Sequence, residues 1–299
     1  MKPQVPGNPE FDYLRRAPTG LCWWCGSLAD SREHKYKRTD LVRLQGEGSP
    51  LIWGGDPEKT HQIRSVRKSE AVRFGIDMCR ACNGTRSQPF DRAYDEYVAF
   101  LWKHKDDMWF WDGISMPAIF GDEWTSKQLD LARYFAKHFG SRIVDEGLEV
   151  PAGLVNFMNG GTKAANISMC FAKREELWEM HKGLRGVTDG PPGLWLGGVN
   201  AQLSSDRSKV AALQTNCLVG YVGVEFLWDE NRRDMDSFFP HEIPVLNEFL
   251  AEPGLVEAIR ARSRESSDTR KGGVRGSDTQ RRKALSGARS GIGRFLNGE

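Results

Sequence analysis

Hydrophobic positions recur at different spacings along the chain, and each spacing predicts a different element. Alternation is clearest at 71–78, where Val72, Phe74, Ile76 and Met78 fall on one face and Arg73, Gly75 and Asp77 on the other. That period of two predicts a strand. Beyond Asn83 the spacing lengthens, and Phe90, Ala93, Tyr94, Tyr97, Val98 and Leu101 recur three and four apart. This predicts a helix with Pro89 near its start, where a missing N–H is harmless. Earlier, Thr39–Leu44 reads as a short helix capped by Thr39. Leu51–Trp53 and His61–Val66 read as the arms of a hairpin joined through Gly54-Gly55-Asp56-Pro57.

From Trp109 onward a second region begins. Ser126 is set to cap a helix over Leu129–Phe139, with Gly140 as its stop. A short strand at Ile167–Phe171, a helix at Arg174–Leu184 and strand-like runs at Leu194–Leu203 and Leu213–Trp228 follow. Helices are expected near Ile243–Leu250 and Gly254–Arg264. The mixture predicts an α+β fold. The expected divisions are an irregular Pro/Gly-rich segment (1–20), a first domain (21–108), an α+β domain (109–259) and a flexible basic tail (260–299).

The 299 residues suit about two domains, each large enough for its own core. The formal net charge of +2 hides an asymmetry: residues 260–299 hold 11 Lys/Arg and 4 Asp/Glu, and residues 1–259 hold 31 and 36. A basic Ser/Gly/Arg arm on a mildly acidic body suits nonspecific attraction to polyanions or a solvated tail. No apolar leader opens the chain, and the longest apolar run, Leu218–Trp228, is broken by Gly220, Gly223 and Glu225. No membrane association is expected. A cytoplasmic setting is expected, where reduced CxxC pairs bind metal more often than they form disulfides.

Two such pairs stand out: Cys22-Trp-Trp-Cys25-Gly26 and Cys79-Arg-Ala-Cys82. Four thiolates in two CxxC pairs describe a tetrahedral structural zinc site, one per chain. Such a site has no open position for water, so its work is to fasten segments separated by 53 residues. Near it lie Glu33-His34 and Asn83. Phosphodiester hydrolysis needs an activated water and relief of the phosphate charge. A neutral His near pH 7 and a hard divalent cation held by oxygens supply these. Glu33 as a carboxylate, Asn83 as an amide carbonyl and His34 as a base form such a minimal set.

Residues 22–101 resemble the HNH, or ββα-metal, nuclease superfamily, and especially the zinc-stabilised branch that includes phage recombination endonuclease VII. The resemblance is carried by Cys22-x2-Cys25-Gly26, Ser31-Arg32-Glu33-His34 and Cys79-x2-Cys82-Asn83-x2-Arg86. It implies an N-terminal ββα-metal, treble-clef-like zinc domain with His34 as general base and Glu33 and Asn83 holding catalytic Mg²⁺ or Mn²⁺. The implied substrate is DNA, with RNA as the alternative. Three positions depart from the pattern. The usual Asp is Glu33, the Pro common three residues after the His is Lys37, and the middle Asn is not recognisable. These departures keep a second expectation open: a catalytically inactive, zinc-stapled nucleic-acid-binding or regulatory protein.

Arg64, Arg67, Lys68, Arg73, Arg80 and Arg86 form a basic set around the expected site, with Arg80 and Arg86 favoured for phosphate contact. His138 reads as a helix C-terminal residue favoured by the dipole. His61 reads as a strand-face residue, and His104, His181 and His241 show no partner pattern. Cys170 and Cys217 read as buried small hydrophobes, Trp23 and Trp24 as packing residues. Residues 109–259 carry no catalytic motif. They are expected to offer a homodimer or protein-partner surface, or a sensor that restrains the nuclease, as in phage defence or a mobile element.

Overall fold

The computed structural model describes residues 9–45, 51–53, 61–63, 69–184, 193–233, 235–252 and 254–261. Arg64, Arg67, Lys68 and nearly all of the basic tail lie outside them. After a 3-10 turn at Pro9–Leu14 comes α1 (Arg38–Gln45). The helix begins one residue before Thr39, which stands in its first turn and not at its cap. Of the expected hairpin, β1 (Leu51–Trp53) pairs antiparallel with β2 (His61–Ile63), Ile52 opposite Gln62; its joint at 54–57 and the rest of the second arm, 64–66, lie outside the described residues.

The alternating run 71–78 forms no continuous strand: Glu70–Val72 is a 3-10 turn, and residues 73–78 lie as one side of an irregular antiparallel ribbon joined by isolated bridges. Its partner is the segment 31–35, with bridges Ser31 to Met78 and His34 to Arg73. Phe74 N–H donates to Glu33 O at 3.0 Å and Lys35 N–H to Val72 O at 2.8 Å. Val72, Phe74 and Met78 are buried as the alternation requires, but Ile76 is 57% exposed. Gly75 gives its N–H to Asp145 Oδ1 instead of to the ribbon. The chain bends there, and Ile76 turns outward. A π-helical turn at Ala81–Arg86 leads into α2 (Gln88–Lys103), and all six apolar residues of the expected periodic face are buried.

The short α3 (Met116–Phe120) opens with the Ser115 hydroxyl accepting from Ala118 N–H. The next helix, α4, runs Trp124–Asp145 and passes straight through Gly140, which sequence reasoning placed as its stop. Gly140 is required there for space, because a Cβ would lie 2.5 Å from the Trp23 ring. Then follow α5 (Ala152–Met158), β3 (Ile167–Arg174) and α6 (Glu175–Leu184). The strand-like runs resolve into β4 (Leu194–Leu196), β5 (Asn200–Leu203), β6 (Val210–Val219) and β7 (Val222–Asp229). The last two form a hairpin that turns at Gly220, φ 66°.

The expected helix near Ile243–Leu250 is instead a strand, β8 (Leu246–Phe249). Pro244 has no N–H and disfavours a helical residue before it. The surrounding backbone is also used sideways: Ile114 N–H donates to Pro244 O, Met116 N–H to Glu242 O, and Leu246 N–H to Asp112 O. A final helix, α7, occupies 254–261.

The larger sheet has the order β4-β6-β7-β3-β8, with β5 also pairing β6. Its pairings are antiparallel except β3 with β8, where Phe171 meets Leu246. One apolar cluster extends from Cys22, Trp24 and Met78 through α2 and α4 to Phe171, Phe226 and Ile259. It crosses the expected boundary at 108/109 without a break. Met78 of the ribbon belongs to this cluster, whereas Val72 packs in a second one with Tyr36, Leu41 and Ile63. Among the described residues no helix is long and apolar enough to cross a membrane.

Candidate metal centre and the His34 ribbon

The first knuckle is a tight turn in which Cys22 N–H donates to Ser27 O and Gly26 N–H to Cys22 O. Gly26 has φ 75°, the left-handed region that a side chain disfavours. The second knuckle lies at the ribbon-to-helix junction, where Asn83 N–H donates to Cys79 O at 2.9 Å. This brings the Sγ atoms of Cys22, Cys25, Cys79 and Cys82 within 4.8 Å of one another. Cys25 and Cys79 sulfurs are 3.6 Å apart. Four sulfurs at the usual zinc bond length of about 2.3 Å sit about 3.8 Å from each other, so the set fits a zinc site.

The thiols differ in their electrostatics. A Ser27 side-chain hydrogen bond holds the Cys25 thiol down at about 6, whereas burial pushes Cys22 and Cys82 up. Buried thiolates without a cation are unfavourable, and a bound Zn²⁺ stabilises that charged form. Arg86 stands directly behind the cluster. Its Nη1 donates to Cys82 Sγ at 3.4 Å, its Nη2 donates to Asn159 Oδ1, and its guanidinium lies 4.2 Å over the Trp24 ring. Trp24 Nε1 shares the same Asn159 oxygen. Arg80 is different: it points outward, pairing with Asp30, whose Oδ1 also accepts from the Arg80 N–H.

Asn83 donates its amide to Ser31 Oγ at 2.8 Å and to Arg32 O at 3.1 Å. A carbonyl only accepts, so the nitrogen of the amide faces the ribbon. Asn83 thus ties the segment before Glu33-His34 to the second knuckle. Glu33 directs Oε2 to Lys137 Nζ of α4 at 3.2 Å, and Lys137 reaches Asp91 Oδ1 of α2 at 3.2 Å. Burial acts to lower the Lys137 pKa, but the two carboxylates raise it overall and keep it charged. Burial pushes the Glu33 carboxyl up, against the Lys137 charge.

A hard cation needs several oxygens at one point. The contacts of Glu33 and Asn83 are instead with an ammonium, a hydroxyl and a carbonyl. The Glu33 carboxylate is engaged by the Lys137 ammonium, and the Asn83 amide nitrogen by the ribbon. The four cysteines are the only group of three or more His, Cys, Asp and Glu ligands brought together among the described residues. His34 is half-buried on the ribbon. Burial lowers its pKa first, and the nearby charges of Arg73, Lys137, Arg38 and Arg32 lower it further. It is therefore a neutral imidazole in an electropositive setting at pH 7.

Several of these partners were not legible as site residues. Lys137 lies on a helix expected for another domain, although a lysine on the apolar face of that helix was a usable signal. His138 is a mid-helix buried residue whose Nε2 bonds Lys35 O at 2.7 Å, not a helix-end group. His181 and His241 each meet a carboxylate, Asp106 and Asp236, both at 2.9 Å. Cys217 is buried as expected, and Cys170 only half so. His61 lies on β2, and its side chain lies outside the described part. No family model, curated protein or solved structure matches the chain.

Proposed function

We propose that this chain is a zinc-stapled nuclease of the HNH type that hydrolyses DNA phosphodiesters, with His34 as general base. One observation carries the reading. A four-cysteine cluster fastens the His34 ribbon against the helical segment bearing Asn83, and His34 there is neutral and surrounded by cations. The antiparallel ribbon followed by a helix supports a ββα arrangement around it. In the proposed reaction His34 takes a proton from water, the resulting hydroxide attacks phosphorus, and the P–O3′ bond breaks. The leaving 3′ oxygen takes a proton from solvent water, His34 returns its own to solvent, and a 5′-phosphate remains. Arg73 and Arg38 supply the field that favours the phosphate, while Arg32 is already paired with Glu70.

A requirement for Mg²⁺ or Mn²⁺ enters through the family resemblance alone. Plasmid and linear duplex DNA should therefore be assayed in Mg²⁺, Mn²⁺ and EDTA. H34A should abolish cleavage while leaving folding and zinc content intact; an H34A protein that cuts as well as wild type refutes the mechanism. A second reading, a zinc-stapled nucleic-acid-binding protein without catalysis, is favoured by the Glu33–Lys137 pair, which engages the expected metal-binding carboxylate. DNA binding with no cleavage in any divalent cation would select it.

A further inference from the structure

We propose that Lys137, on α4 of the C-terminal region, is a positioning residue of the His34 site, so that residues 109–259 are a working part of that site. In its catalytic consequence the proposal rests on the nuclease reading above; its structural claim does not.

The α4 helix grips the ribbon at successive turns. Lys137 holds Glu33, His138 donates to the carbonyl of Lys35, and Asp145 accepts from Gly75 N–H and pairs with Lys35 Nζ at 3.4 Å. Ser141 accepts from Trp23 Nε1 in the first knuckle. Lys137, His138, Ser141 and Arg142 are all buried, an unusual run of polar side chains for a core-facing helix. Most of these bonds would serve any structural seam.

Lys137 is different, because a purely structural contact gains little from a buried ion pair. Desolvating an ammonium and two carboxylates is unfavourable, and hydrophobic residues of similar volume often pack as well or better. What the pair adds is direction. A charged hydrogen bond fixes the Glu33 carboxylate, and Glu33 immediately precedes His34 in a ribbon with only a few backbone bonds. Asp91, 3.2 Å away on the other side, holds the ammonium in place. The result is a strut from α2 through Lys137 to the residue before His34. The side chain of Lys137 is 1% exposed, so it acts through Glu33 and does not touch substrate.

The test uses the full-length, zinc-loaded protein with K137M and K137R. Hydrogen exchange at the ribbon amides of Phe74 and Lys35 should accelerate at least about ten-fold in K137M relative to the Gly26 amide, and K137R should stay near wild type. Unchanged exchange in folded K137M overturns the proposal. If K137M does not fold, E33A removes the carboxylate and its hydrogen bond from the ribbon side while Asp91 still holds Lys137, and unchanged ribbon exchange in E33A overturns it equally. In cleavage assays K137M should lower kcat by about ten-fold or more at unchanged KM, with K137R restoring it. A K137M enzyme with wild-type kcat also overturns it. Wild-type protein that never cleaves refutes the nuclease reading, and the exchange measurement then decides the strut alone.

Discussion

The indole of Trp23 lies directly over Gly140, where a Cβ would stand 2.5 Å from Cζ2 and Cη2 of the ring. The same indole donates from Nε1 to Ser141 Oγ at 3.3 Å, so one aromatic side chain joins the first knuckle to α4. In an ordinary helix interior, Gly→Ala stabilises by about 1 kcal/mol. At this position the sign should reverse. The ring is tethered through Nε1 to Ser141, and the added methyl forces it out, with a cost of about 1–3 kcal/mol. Urea denaturation of G140A checks this. A variant as stable as wild type, or more so, would mean that Trp23 moves freely and does not dock the knuckle.

Arg86 is expected to act on the metal before it acts on nucleic acid. Its guanidinium is sandwiched by Trp24, Cys82 Sγ and Asn159, whereas the Arg80 side chain is 82% exposed beside Asp30. Groups that donate to metal-bound ligands typically contribute about 10–100-fold in affinity. R86A should therefore bind zinc about that much more weakly in a chelator competition, and R80A should not. On duplex DNA, R80A should reduce the salt dependence of binding by about one phosphate contact. Equal zinc affinity in R86A and wild type would return Arg86 to the role of a phosphate ligand. The same titration should count one zinc per chain, and C82S should abolish it.

The pattern of chemistry was legible where it is local and failed where it depends on what lies across the core. Cys22, Cys25, Cys79 and Cys82 announce themselves because two CxxC turns each present a pair of sulfurs whatever surrounds them. The helix of α2 was legible because six apolar residues keep one period through it. Gly140 was misread because a glycine that ends a helix and one that admits a neighbouring ring look alike in sequence. His138 reads as a helix-end residue, and Lys137 belongs to no motif. Only the docking of α4 on the ribbon shows that they point inward, toward Glu33 and Lys35. In β8, Leu246 and Phe249 fit a helical spacing equally well, and Pro244 was the local sign that the backbone there is extended.

His138 should make the protein acid-sensitive. Its Nε2 carries the proton given to the Lys35 carbonyl, and its buried Nδ1 meets no hydrogen-bond partner among the described residues. Burial, first of all, drives its folded-state pKa down to about 3 from 6.5. A depressed pKa means that the unfolded chain takes up a proton as pH falls below 6.5, and the folded chain does not until about 3. The stability this gives is complete above 6.5 and is lost progressively as the pH falls toward 3, by at most about 5 kcal/mol. Asp40, raised by burial to about 6, and Asp77, raised to about 7, work in the opposite direction over the same range, because the folded state protonates them first. The difference between variants therefore isolates the histidine better than the wild-type slope does. H138Q keeps a donor for Lys35 O but cannot titrate. Its unfolding free energy should fall less steeply than wild type between pH 6.5 and 4, by up to about 1.4 kcal/mol per pH unit. Parallel pH profiles for the two proteins would mean that His138 is protonated in the fold and that the seam between α4 and the ribbon opens to water.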